Sequence, residues 1–135
     1  MVRSCGFGGL YYNYFMELVF HGGAQSVTGA NYLLHSGRTR ILIDCGLFQG
    51  GNYCDRLNFE GFPYNPERIG VVFITHAHID HIGRLPLLYK AGFRGKIFST
   101  SPTRDFAELL LLDSEHILGE EAKREGKPSP YDASD

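Results

Sequence analysis

This 135-residue chain predicts a mixed α/β fold, with helices layered on one face of a sheet. Three observations carry the prediction. Short apolar and β-branched runs at 17–20, 31–34, 39–43 and 71–74 have strand length and are bounded by glycine or turn residues. Two stretches, 82–91 and the one opening at Ser101, carry apolar residues at helical spacing and punctuated ends. The order is strand, hairpin, strand, helix, strand, helix, with no internal repeat.

Residues 1–15 mix Gly, Tyr and Phe without a period, so Met16 reads as the natural start and the first fifteen residues as an extension. The other reading is an extra strand at 10–15. Met16 opens a clean strand, Glu17-Leu18-Val19-Phe20. The loop His21-Gly22-Gly23-Ala24-Gln25-Ser26-Val27-Thr28-Gly29 lacks the lysine of a phosphate-binding loop and the glycine spacing of a dinucleotide site. Its glycines instead let the backbone turn close beside a site. Residues 31–34 and 39–43 form a hairpin across Ser36-Gly37. The second strand ends in Asp44-Cys45-Gly46, and a carboxylate at the end of an apolar strand is costly without a partner. A plain turn-initiating Asp is the simpler reading of that residue taken alone. A loop covers 47–67, and the strand 71–74 follows. The helix 82–91 closes at Gly92, with Leu85, Leu88 and Tyr89 as its stripe; Pro86 fits if the helix proper starts near Leu85. A short strand spans 96–99. Ser101 as N-cap and Pro102 at the first position then open a long helix whose stripe is Phe106, Leu109, Leu110, Asp113 and Ile117. Beyond Gly119 the chain turns polar, and 127–130 reads as a linker.

Composition narrows the function classes. The chain is 43% hydrophobic and 21% charged, as ordinary globular domains are. A formal net charge of -2 gives no global footprint for nucleic acid, so such a partner needs a local patch. Cys5, Cys45 and Cys54 are odd in number and lack C-x-x-C spacing; they read as reduced thiols of a cytoplasmic protein, Cys45 in the core. No run is long enough for a membrane span, and no apolar stretch near the N-terminus makes a signal peptide.

The informative motif is Thr75-His76-Ala77-His78-Ile79-Asp80-His81, directly after Val71-Val72-Phe73-Ile74. Imidazole and carboxylate are good ligands for Zn²⁺ and neighbouring divalent ions. In extended backbone, residues two apart point the same way, so His76 and His78 can clamp one ion. Asp80 and His81 follow as the chain bends into a helix and can serve a second, as two-metal hydrolases require. A histidine-rich surface loop is the bland alternative. The apolar strand before the motif weighs against it. A metal-dependent hydrolase is therefore the leading reading.

These residues resemble the metallo-β-lactamase fold: H-x-H-x-D-H after a buried strand, and an earlier strand ending in Asp44. The phrases at 22–29, 43–50 and 81–86, with the helix at 105–117, resemble more narrowly its β-CASP branch of RNA-processing nucleases. The likeness covers residues 16–131 as a partial domain of the αββα sandwich, with 132–135 as a tail. It implies zinc as cofactor, two ions in a complete site, with Mn²⁺ as an alternative. His76 and His78 would hold one ion, Asp80 and His81 would face the other, and Asp44 would orient the ligands. Asp80 and Asp44 are the catalytic candidates, Asp80 for the proton of the attacking water. RNA is the implied partner, and phosphodiester hydrolysis the implied reaction. The family pattern also has a later His, a bridging Asp, another His and an inserted domain. His21, His35 and His116 do not match those positions, so the chain reads as the front of a longer nuclease, inactive alone and with one sheet face uncovered. The alternatives are a non-catalytic remnant that binds metal or a partner, and a hydrolase of the same fold acting on a thioester, lactone or lactam.

Overall fold

In the computed structural model, residues 16–51, 56–126, 128, 129 and 131 are described. Cys5, Cys54, the extension at 1–15 and the tail at 132–135 lie outside them.

Five strands form one sheet in the order β1-β2-β3-β4-β5. They are β1 Met16–Gly22, β2 Asn31–Ser36, β3 Thr39–Ile43, β4 Val71–Phe73 and β5 Lys96–Phe98. The first three pair antiparallel, and β3-β4 and β4-β5 pair parallel. A parallel step needs a crossover. The first runs through the loop after β3 and a 3₁₀ turn at Pro66–Arg68, capped by the Asn65 side chain on Glu67 N. The second runs through α1 Ile79–Ile82 and α2 Leu85–Lys90, and α3 Ser101–Glu125 follows β5.

Strand period 2 divides the sheet's faces. Leu33, Leu42 and Val72, aligned by register, are buried beneath the helices with Ile82, Leu88 and Phe93. Burying each such side chain is worth about 1.5–3 kcal/mol. The opposite face carries Leu18 and Phe20 of β1 and the stacked pair Phe73 and Phe98, all roughly half exposed. Among the described residues, no helix packs on this face and these four side chains stay roughly half exposed.

Three helix expectations need correction. The stretch 82–91 is two helices, because the Arg84 backbone N–H turns away to bond Cys45 O at 2.9 Å. The cap of α3 is Thr100, whose hydroxyl oxygen accepts from Thr103 N, one residue before Ser101. The buried stripe of α3 is Ser114, Leu118 and Ala122, with Ala107, Leu110 and Leu111 half-buried, while Phe106, Leu109, Leu112 and Ile117 face outward. Leu109 to Leu112 are four leucines in a row, so apolarity leaves the helix phase open there. The buried side is the one on which Ser114 Oγ meets the Tyr131 hydroxyl at 3.2 Å and Leu118 packs with Leu47. The helix also continues through Gly119 to Glu125, where Gly126 ends it in the left-handed conformation. Among the described residues no helix is long and apolar enough to cross a membrane.

Candidate metal centre

The parallel strands β3, β4 and β5 end on one side of the sheet, and the chemistry-bearing residues follow from those ends. Ile74 N bonds Phe98 O at 2.9 Å, and Asp44 N bonds Phe73 O at 2.9 Å, which carries the ladder into the loops. The loop after Asp44 then runs against α1. Cys45 N bonds His81 O at 2.7 Å, Leu47 N bonds Ile79 O at 3.0 Å, and Ala30 N bonds Asp80 O at 2.9 Å. Ala30, directly after the glycine-rich loop, thus bonds the backbone of the histidine segment. Gly46 permits the approach, since a Cβ there would lie 1.6 Å from Asp80 O.

Asp44 is 1% exposed and has φ of +59°, rare for a residue with a side chain. Its carboxylate is filled with donors. Oδ1 accepts from Thr75 N at 2.8 Å, and Oδ2 accepts from Thr75 Oγ1 at 2.7 Å and lies 2.8 Å from His81 Nδ1. The buried carboxylate thus has the partners its position demands. A turn-initiating role does not account for three contacts to residues more than thirty positions away.

Thr75 and His81 contact it directly, His76 lies behind Thr75, and His78 and Asp80 follow on His76 and His81. His76 Nε2 lies 3.1 Å from His78 Nδ1. His81 Nε2 lies 3.6 Å from Asp80 Oδ2, and the rings of His76 and His81 are 3.9 Å apart. Two nitrogens each bound to one tetrahedral zinc sit about 3.3 Å apart. The His76–His78 spacing is compatible with a shared ion, and Asp80 with His81 could supply N and O donors to another. Among the described residues, no group of three or more His, Cys, Asp or Glu converges as a complete metal site. The donors are arranged as pairs, each needing further ligands for four-coordination.

The surroundings fix the segment in place. Arg84 is 5% exposed, stacks on Phe62 with its guanidinium carbon 4.5 Å from the ring centroid, and donates to Glu60 O. Burial lowers its pKa, opposed by neighbouring Cys45, Tyr64 and Glu60. Cys45 is fully buried, as expected, and burial pushes its thiol up to about 12. That removes it from nucleophilic chemistry near neutrality. Tyr131 is 2% exposed; its hydroxyl lies 3.1 Å from Gly83 O, to which it donates, and 3.2 Å from Ser114 Oγ. It ties α3 to the turn after α1. Arg84 entered the sequence reading only as part of the 81–86 phrase, with no role of its own, and a lone Tyr after a polar linker carries no signal of the bridge Tyr131 makes. His21 packs its ring 5.0 Å from Tyr64 and lines a separate cavity of about 590 Å³ beside the glycine-rich loop. His116 and Asp113 on α3 are exposed.

The metallo-beta-lactamase superfamily model matches residues 27–97, a span that includes Asp44 and the whole histidine segment. The chain is 40% identical over 105 residues to a ribonuclease of Thermus thermophilus, covering 78% of this chain and 24% of that protein. It is 40% identical over 117 residues to the transcription termination factor FttA of Methanosarcina mazei, covering 83% and 17%. It is 36% identical over 123 residues to FttA of Methanocaldococcus jannaschii, covering 91% and 19%. The chain therefore spans about a quarter or less of the length of these relatives. The match extends over more than half of the chain and takes in every residue clustered around Asp44, and on that ground the chain belongs to the metallo-beta-lactamase superfamily.

Proposed function

We propose that this chain is the metal-binding front segment of a β-CASP-type nuclease that hydrolyses RNA phosphodiester bonds. The observation that supports the reading is the arrangement beside Asp44: His81, paired with Asp80, lies on the buried carboxylate directly, and His76, paired with His78, is linked to it through the Thr75 hydroxyl. The relatives' names, a ribonuclease and transcription termination factors, support RNA as the substrate class. A cytoplasmic location is proposed with it, supported by the relatives' names as RNA-acting proteins.

Zn²⁺ is the proposed metal, with Mn²⁺ the alternative for the same donors. When bound, the ion supplies Lewis-acid polarisation of a phosphoryl oxygen and lowers the pKa of an attacking water. The protein's own part is positioning. Asp44 holds the His81 ring by Nδ1 and leaves Nε2 free toward Asp80. Asp80, one-fifth exposed, has a carboxylate at the rim of the cluster that can take the proton of the attacking water.

The test is hydrolysis by the polypeptide encoded by the whole gene, on a labelled single-stranded RNA and, in parallel, on thioester, lactone and lactam substrates. RNA cleavage that chelation removes and zinc restores is expected. Turnover of a thioester, lactone or lactam with intact RNA would overturn the substrate assignment. One observation favours a second reading, a non-catalytic metal-binding segment: the described donors form pairs and not a full ligand set. Zinc binding without hydrolysis of any of these substrates would establish it.

A further inference from the structure

We propose that Thr75 is a positioning residue that fixes the proton of His76 on Nδ1. This rests on the reading of His76 as a metal ligand. A chain of donors and acceptors runs out of Asp44, and the carboxylate sets its direction, because an ionised carboxylate only accepts. The Thr75 hydroxyl gives its single proton to Asp44 Oδ2 at 2.7 Å. That leaves its oxygen as an acceptor, 3.0 Å from His76 Nδ1. His76 Nδ1 must therefore be the protonated nitrogen, and Nε2 carries the lone pair. Nε2 is the atom that lies 3.1 Å from His78 Nδ1.

His81 is set by the same carboxylate without an intermediary. Its Nδ1–H is 2.8 Å from Asp44 Oδ2, and its free Nε2 faces Asp80. One buried carboxylate thus selects the tautomer of two histidines, one directly and one through a hydroxyl. Which ring nitrogen of a histidine bears the proton is decided by the hydrogen bond the other makes. A free imidazole in water prefers the proton on Nε2, which would block the nitrogen that faces His78. The cost of that wrong tautomer would fall on metal affinity. Thr75 keeps a second tie to Asp44 through its backbone N–H at 2.8 Å, which no side-chain replacement removes. The hydroxyl can be changed while the loop stays anchored.

The experiment uses the full chain, metal-free and ¹⁵N-labelled, with ring-nitrogen shifts of His76 read by long-range correlation NMR and zinc affinity measured by competition with a chromophoric chelator. Wild type and Thr75→Ser are expected to show His76 protonated on Nδ1. Thr75→Val should move that proton to Nε2 and weaken zinc binding by about 10–100-fold, the usual loss on removing such outer support. A wild-type His76 protonated on Nε2 would overturn the inference, and that spectrum suffices even if Thr75→Val fails to fold. A Thr75→Val chain that folds with His76 still protonated on Nδ1 would overturn it too. Absence of zinc binding by wild type would instead count against the metal assignment, while the tautomer readout stands apart.

Discussion

Gly46→Ala is the substitution with the largest effect worked from geometry. A Cβ at residue 46 would stand 1.6 Å from Asp80 O, 2.0 Å from Asp80 C and 2.6 Å from His81 N. All three are backbone atoms, so no side chain can swing away. Ordinary carbon contacts begin near 3.5 Å, so α1 would have to retreat by about 2 Å. That retreat breaks the bonds Ala30 N to Asp80 O and Cys45 N to His81 O. Overpacking costs about 1–3 kcal/mol, and each buried group left without a partner about 1–3 kcal/mol more. With the Ala30 and Cys45 N–H groups both unpaired the loss is about 3–9 kcal/mol, a large fraction of what holds a small domain together. Urea unfolding followed by circular dichroism measures the loss, and a zinc titration of the folded fraction reads the site. Gly61→Ala is the control, since nothing lies within 4 Å of its Cβ position. The expected outcome is a collapse of the midpoint for Gly46→Ala and little change for Gly61→Ala. Equal midpoints and equal zinc affinity in the two variants would refute the close packing of the Asp44–Gly46 loop on α1.

Two other substitutions follow from the same loop. Asp44→Ala should weaken zinc affinity by about 10–100-fold; it should also destabilise the chain, because Thr75 N loses its acceptor. An unchanged affinity would return Asp44 to the rank of a turn residue. Cys45 has a folded pKa of about 12 against an ordinary value of 9.0. The unfolded chain sheds this proton at lower pH than the folded chain, so the contribution is whole below pH 9 and declines between about pH 9 and 12. Cys45→Ala should flatten that alkaline decline in urea midpoint; an equally steep decline in the variant would show that other groups cause it.

The candidate site was legible in sequence because its proposed donors are local: four sit within His76–His81, and the strand before them gives the direction in which they emerge. Asp44 was legible only by its oddity, a carboxylate ending an apolar strand, and its three long-range contacts explain that oddity. What stayed hidden depends on approach between distant elements. Tyr131 reaches Gly83 across 48 positions. Arg84 is buried by Phe62 from a loop that reads as irregular. Thr75 is an ordinary strand-end residue until Asp44 and His76 are placed on either side of its hydroxyl. The phase of α3 failed for a different reason: a run of four leucines covers more than half the helix circumference, so apolarity alone does not choose the buried side there.

The most direct measurement is zinc stoichiometry and affinity, by equilibrium dialysis with elemental analysis, of the wild-type chain against His76→Ala/His78→Ala. The wild type is expected to bind zinc, and the double variant to lose most of it while keeping its fold by circular dichroism, since both rings are partly exposed. Equal stoichiometry and affinity in the two chains would contradict the assignment of His76 and His78 as ligands, and with it the metal centre on which the hydrolytic function rests.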